Sequence, residues 1–223
     1  IEARRNEFIS QLDLAKKNQE TINENTPQEI RDGLNKIVDS LNNSNTVLNL
    51  QLGVLKQLES NKNTESQLRE QLRQLQANGI PEKPPYSFIL LDNLRNQISS
   101  ELEKKSALDD AIKTAQDALN QTQQNVRDRE NTRLLAKEAL DNNRDETAIP
   151  LLTIRYQVAQ ISVQISHEYH TLRKLEFNNQ KAAKAAFDVQ LELLREREKL
   201  YEKDTVFQEK DLKEPYDRLD ADK

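Results

Sequence analysis

The sequence predicts an all-α protein built from long amphipathic helices, and three observations predict it. Only three glycines and six prolines punctuate the 223 residues, which leaves few turn signals for strands. Apolar residues recur at alternating spacings of three and four over long stretches, the narrow stripe of coiled-coil-like packing. Charged residues make up 32% and hydrophobic residues 35%, with a mean hydropathy of -0.90. That balance suits thin apolar seams between helices better than one thick core. The expected architecture is an elongated antiparallel bundle of three long coiled-coil-like helices plus a shorter N-terminal helix, forming one domain over residues 1–223.

The prolines set the boundaries, with helices expected at about 1–25, 27–77, 86–141 and 149–210. Thr26-Pro27 followed by Glu29 reads as N-cap, first helical position and capping-box partner. Ala77-Asn78-Gly79-Ile80-Pro81 reads as a stop, with glycine in the left-handed position and a proline that cannot continue. Pro84 and Pro85 stiffen the corner before a helix that begins near Ser87. Asp141-Asn142-Asn143 ends that helix, and Pro150 opens the next. Pro215 falls in a charged tail expected to fray. Matched lengths and short connections favour antiparallel neighbours, and the prolines at 81, 84 and 85 argue against one continuous parallel rod.

Within these limits the seams are explicit. The first long helix carries Leu34, Val38, Leu41, Leu48, Leu52 and Leu55, with Asn45 in the same stripe, and resumes at Leu68, Leu72 and Leu75. The second carries Leu91, Leu94, Ile98, Leu102, Leu108, Ile112, Ala115, Leu119 and Val126. The third carries Leu151, Ile154, Val158, Ile161, Ile165, Leu172 and Leu175, then Ala182, Ala186, Val189, Leu193 and Leu200. In the leading helix Phe8, Leu12, Ala15 and Ile22 share a side. Asn45 either fixes helix register at some cost in stability or turns to solvent. Gly53, mid-helix, costs about 1 kcal/mol relative to alanine. The alanine cluster at 182–186 predicts close helix approach.

Several functions are disfavoured by composition. A net charge of -5 and a pI near 5.3 lack the clustered cations that nucleic-acid binding needs. No apolar run approaches a membrane span. Zero cysteines remove disulfides, zinc-thiolate sites and thiol nucleophiles. His167-Glu168-Tyr169-His170 is the one cluster with metal-ligand spacing, since histidines at i and i+3 share a helix face. It lacks the HExxH spacing and a third ligand, so flanking seam residues are the expectation. Pro84-Pro85-Tyr86 reads as a corner, not a proline-rich ligand, and the charged stretch from Glu192 to Lys223 as a solvated face. No phosphate loop or nucleophile–base arrangement can be assembled. The sequence therefore predicts no enzyme, with no catalytic, cofactor or metal residues and no small-molecule substrate.

One stretch goes beyond generic coiled coil. Pro84-Pro85-Tyr86-Ser87-Phe88 runs into Leu90-Leu91-Asp92-Asn93-Leu94-Arg95, Ala-Leu pairs recur at 107–108 and 118–119, and the helix closes on Arg133-Leu134-Leu135-Ala136-Lys137-Glu138-Ala139-Leu140. This resembles the extramembrane coiled-coil region of large bacterial mechanosensitive channels of the MscS/MscK type, over about a quarter of the chain. In that family a long helical N-terminal region, usually periplasmic, precedes the membrane helices and pore domain. The resemblance implies an architectural or sensory domain of an ion channel, located in the periplasm as the soluble part of an inner-membrane protein. Its partners would be other proteins, including copies of itself. It also accounts for a chain that opens at Ile1 without methionine, as a fragment of a larger protein. The family offers no catalytic residues to carry over, and its pore-lining helix has no counterpart here. The alternative function is a free-standing coiled-coil scaffold, tether or adaptor.

Overall fold

Helices form where the three/four spacing runs and stop at the glycine and proline signals. A computed structural model of the chain describes residues 1–23, 25–207 and 211. Its helices are α1 (Glu2–Glu20), α2 (Gln28–Asn78), α3 (Phe88–Asp141) and α4 (Ile149–Lys203). The protein is all-α, with three helices of 51, 54 and 55 residues and one of 19. Gly79 adopts φ +73° and donates its N–H to the Leu75 carbonyl at 2.8 Å. It is the left-handed stop that the sequence signals. Pro150 lies in the first turn of α4, where its missing N–H breaks no helical bond.

Three boundary expectations are corrected. α1 ends at Glu20 rather than 25, because the Thr21 hydroxyl donates to the Asn18 carbonyl at 2.6 Å and closes the last turn. The Thr26–Glu29 capping box does not form. The Thr26 hydroxyl accepts from the Asn23 N–H at 3.2 Å, and Glu29 instead pairs with Arg155 at 3.0 Å. α4 ends at Lys203 rather than 210. There Thr205 donates its hydroxyl to the Tyr201 carbonyl at 2.6 Å. Two short strands, β1 (Tyr86–Ser87) and β2 (Thr205–Val206), then pair in parallel with Tyr86 opposite Thr205. Residues 208–210 and Pro215 lie outside the described residues.

The chain forms two compact units, one from residues 1–57 and 113–179 and the other from 58–112 and 180–223. In the first unit α2 runs alongside α4 in the same direction. Arg155 pairs with Glu29, Tyr169 bonds Asn43 and Asn179 bonds Gln57. α1 runs the opposite way, with Arg4 reaching Glu168 and Gln19 reaching Asn35. α3 also opposes α4, placing Thr122 beside His170 and Glu130 beside His167. Phe8 and Ala15 of α1 pack with Leu34, Ile37, Leu41 and Leu48 of α2 in one core cluster.

The buried stripe of α2 is wider than a coiled-coil seam. Leu41, Ser44, Val47, Leu48 and Gln51 are the most deeply buried side chains, at 0–1% exposure, whereas Leu52 and Leu55 are only half-buried. The reason is geometric: α1 and α4 both pack on this half of α2, so it needs a broad apolar face. Ile165 is buried, and Ile161 sits half-buried at the edge of the same cluster.

At Gly33 α2 lies close against Ile154 and Val158 of α4. A Cβ there would collide with the Ile154 side chain, whereas a Cβ on Gly53 would meet nothing within 4 Å. The two glycines therefore predict opposite outcomes for one substitution. Gly53→Ala, exposed on the helix, should stabilise by about 0.5–1 kcal/mol through helix propensity. Gly33→Ala should destabilise by about 1–3 kcal/mol, because overpacking outweighs that gain. Urea denaturation of both variants checks this; a stabilised Gly33→Ala would mean that α2 and α4 are farther apart than described.

In the second unit Leu94 and Ile98 of α3 pack with Leu191 and Leu194 of α4, and Leu72 and Leu75 of α2 pack with Leu193. Ala182, Ala186 and Val189 are buried, as the alanine cluster predicts. Arg95 spans Glu198 and Glu202 at 2.9 Å each, and hydrogen bonding to Glu198 chiefly raises its pKa. Lys184 contacts Asp109 at 2.5 Å, a hydrogen bond that likewise raises the ammonium pKa. Both pairs are solvent-exposed and orient helices more than they stabilise them. At the start of α3 the buried Asp211 carboxylate accepts from the Phe88 N–H at 3.3 Å and from the Ser87 hydroxyl. The Tyr86 ring meets the Tyr201 ring edge-on at 4.7 Å, and burial pushes the Tyr201 phenol pKa up.

The α3 seam is the largest departure from the expected packing. Its buried positions are Leu91, Leu94 and Ile98. Leu102 is 40% exposed, and Leu108, Ile112, Ala115, Leu119 and Val126 are half-buried. From Ala118 to Ala139 an open cleft lies between α3 and α2, so this part of the helix borders α4 without being enclosed.

Candidate functional site

The most deeply buried polar group of α4 is Glu168, a residue that the sequence placed among flanking seam positions. Its side chain is 6% exposed. Arg4 Nη1 of α1 donates to both carboxylate oxygens, at 2.9 and 3.0 Å. Gln51 Nε2 of α2 donates to the carboxylate and to the Glu168 backbone carbonyl, each at 2.8 Å. Three helices thus meet at one carboxylate. A buried charge is costly unless it is paired and hydrogen-bonded, and here both conditions are met. The register of α1 against α2 and α4 follows from that requirement. Gln51 Oε1 is buried without a hydrogen-bond partner.

Gln51 carries the register role that the sequence offered to Asn45. Asn45 is half-buried with its Oδ1 unpartnered, so it neither pairs across a seam nor turns fully to water. Gln51 could have been found from its place one turn beyond Leu48 on the α2 stripe. What hides it is that glutamine is common on solvated faces, and nothing local marks this one as buried.

The two histidines do not share a site with Glu168. His167 is exposed, with Nε2 3.5 Å from Glu130 Oε1, and His170 Nδ1 lies 3.4 Å from Thr122 Oγ1. Both contact α3, whereas Glu168 faces α1 and α2. An i, i+1, i+3 spacing on a helix spreads these side chains over different faces. Among the described residues no group of three or more His, Cys, Asp or Glu could hold a metal ion. Thermal melting with and without chelator should therefore coincide. A chelator-induced drop of several degrees, restored by zinc and abolished in His167→Ala, would reveal a metal centre.

Pro84-Pro85-Tyr86 acts as the corner expected of it, with the Pro84–Pro85 peptide bond cis. Tyr86 is buried and donates its hydroxyl to the Glu82 carbonyl at 3.0 Å. In the connection from α3 to α4, the Thr147 hydroxyl and N–H hold the Asp145 carboxyl below the usual carboxylate range. They hydrogen-bond it at 2.7 and 2.9 Å just before α4 begins.

A long concave feature of the first unit is a cleft between α2 and α3 with α4 as its floor. One section, of about 630 Å³, is lined by apolar and small side chains that include Leu135, Ala139, Leu151 and Val158. A second, of about 500 Å³, is more polar and includes Asn43, Gln121 and Tyr169. Arg129 and Ser162 line both sections, so the two are continuous. The cleft is an open trough whose charged lining residues are Glu29, Asp32, Lys36, Arg129, Arg155 and Arg173.

Among the described residues no helix is long and apolar enough to cross a membrane. No family model, characterised protein or solved structure matches the chain.

Proposed function

We propose that this chain is a non-catalytic architectural domain whose long helices mediate packing and contacts with other proteins. The observation that carries this reading is the use of the buried polar groups. Arg4, Gln51 and Glu168 are committed to one another across three helices, so they hold helix register and are not themselves available as an acid–base pair. A domain that transmits or resists force through helix packing needs such fixed register, because slippage along a smooth apolar seam would dissipate the load.

The finer reading is the extramembrane, periplasmic helical domain of an MscS/MscK-type mechanosensitive channel. The resemblance of residues 84–140 supports it. The coding sequence beyond Lys223 tests this reading. Membrane helices followed by a pore domain uphold it, and a stop codon close after Lys223 overturns it and leaves a free-standing scaffold. In the channel, deletion of residues 1–223 should alter gating threshold or inactivation in patch-clamp recordings while leaving a conducting pore.

A further inference from the structure

We propose that the cleft between α2 and α3 in the first unit is a docking groove for an acidic amphipathic helix of a partner protein. The inference deepens the reading of the chain as a protein-contact domain and rests on it. Three observations carry it. The first is shape: the floor runs along α4 from Leu151 to Arg173, about 33 Å at 1.5 Å per residue, enough for a helix of about six turns. Ala159, Ser162 and Ser166 on that floor are small, which lets a helix lie close to α4. The chain's own short helix does not fill this place, since α1 lies over Gln157, Gln160 and Gln164 on a different face of α4.

The second observation is unspent apolar surface. Leu134 and Leu135 are 53% and 68% exposed on α3, and Leu135 lines the apolar end of the cleft with Leu151 and Val158. An amphipathic helix reads such a surface through anchors at i, i+3, i+4 and i+7.

Charge is the third observation, and it selects the partner. The chain is net negative at -5, yet the cleft is lined by Lys36, Arg129, Arg155 and Arg173 against Glu29 and Asp32. Arg155 pairs with Glu29 and Arg173 with Glu176, while Asp32 accepts from Gln28. Lys36 and Arg129 have no ion pair among the described residues. Arg129 stands where the apolar and polar sections meet, so a carboxylate beside the apolar anchors of an incoming helix would reach it. Complementary charge of this kind sets partner choice more than raw affinity.

The test uses the whole chain and two synthetic helical peptides, each of about twenty residues to match the groove. Both carry leucines at the i, i+3, i+4, i+7 positions; one is flanked by glutamates and the other by lysines. Fluorescence anisotropy should show the glutamate peptide binding at least about tenfold more tightly, with Arg129→Glu reversing the order. Ser162→Trp, which blocks the joint of the two sections, should weaken binding at least about tenfold. Leu135→Glu on the exposed rim serves where the tryptophan disturbs folding. Equal binding of the two peptides, no binding of either, or binding indifferent to both blocking variants overturns the proposal. Self-association in sedimentation equilibrium that Ser162→Trp abolishes also overturns it, by making a second copy the occupant. A chain that stays fully helical by circular dichroism while failing to bind rejects the groove alone and leaves the architectural reading standing.

Discussion

Leu48→Ala should destabilise the first unit by about 2–5 kcal/mol, the range for truncating a fully buried leucine whose neighbours cannot collapse into the space. Leu48 is 0% exposed and belongs to the cluster formed by Phe8, Leu34, Ile37 and Leu41. Helices from three parts of the sequence converge there, so relaxation of any one is limited by the others. Ile161→Ala should cost less, because Ile161 is half-buried at the rim of that cluster. Lys174→Ala, at an exposed position, should change stability by under about 0.5 kcal/mol. Chemical denaturation followed by circular dichroism ranks the three variants. The transition for Leu48→Ala should broaden, because units with their own cores can lose structure separately. Equal, negligible effects for Leu48→Ala and Lys174→Ala would mean that the first unit's core is misplaced.

The second large effect concerns the charge that three helices share. Arg4→Ala strips its cation from the Glu168 carboxylate, which is 6% exposed in the intact protein. Loss of a partner to a buried charged group costs about 3–5 kcal/mol when both partners are buried. Arg4 is itself 42% exposed, and water reaches the pair from that side. The expected loss is therefore about 1–3 kcal/mol. Replacing both charges should be milder than Arg4→Ala alone. In Arg4→Ala/Glu168→Gln the buried group is neutral and needs no cation, and Gln51 keeps the Glu168 backbone carbonyl as an acceptor. A double-mutant cycle reads this as coupling well above the few tenths of a kcal/mol found for independent sites. Limited proteolysis supplies a second readout, since α1 should become the first segment cleaved in Arg4→Ala. Strict additivity of the two substitutions, with α1 still protected, would show that the carboxylate is not what fixes α1 in place.

Whether a segment is helical was decided locally, and so it was legible in the sequence. The three/four spacing, the scarcity of glycine, and Gly79 with the prolines at 81, 84 and 85 each act within a few residues of where they sit. They gave four helices, the stop at Gly79 and the start at Pro150. The same local chemistry excluded a thiol or zinc-thiolate site, because the required atoms are absent from the chain.

Which face of each helix is enclosed could not be read locally, because burial depends on how many neighbours a helix has at each level. The first half of α2 is flanked by α1 and α4, so Ile37, Ser44, Val47 and Gln51 joined Leu34, Leu41 and Leu48 inside. The second half of α3 borders an open cleft, so Leu119 and Val126 stay half-exposed although their spacing matches that of Leu91 and Ile98. Gly33 and Glu168 show the same dependence on distant residues. Glycine is needed at 33 only because Ile154, 121 positions later, lies against it. Glu168 is tolerated inside only because Arg4 and Gln51 arrive from two other helices. Even the end of α4 was a tertiary decision: Thr205 and Val206 leave the helix to pair with Tyr86 and Ser87. Propensity is a sum over near neighbours in the chain, whereas burial, ion pairing and strand pairing are set by neighbours in space. The helices therefore belonged to the sequence, and the register lock and the groove to the fold.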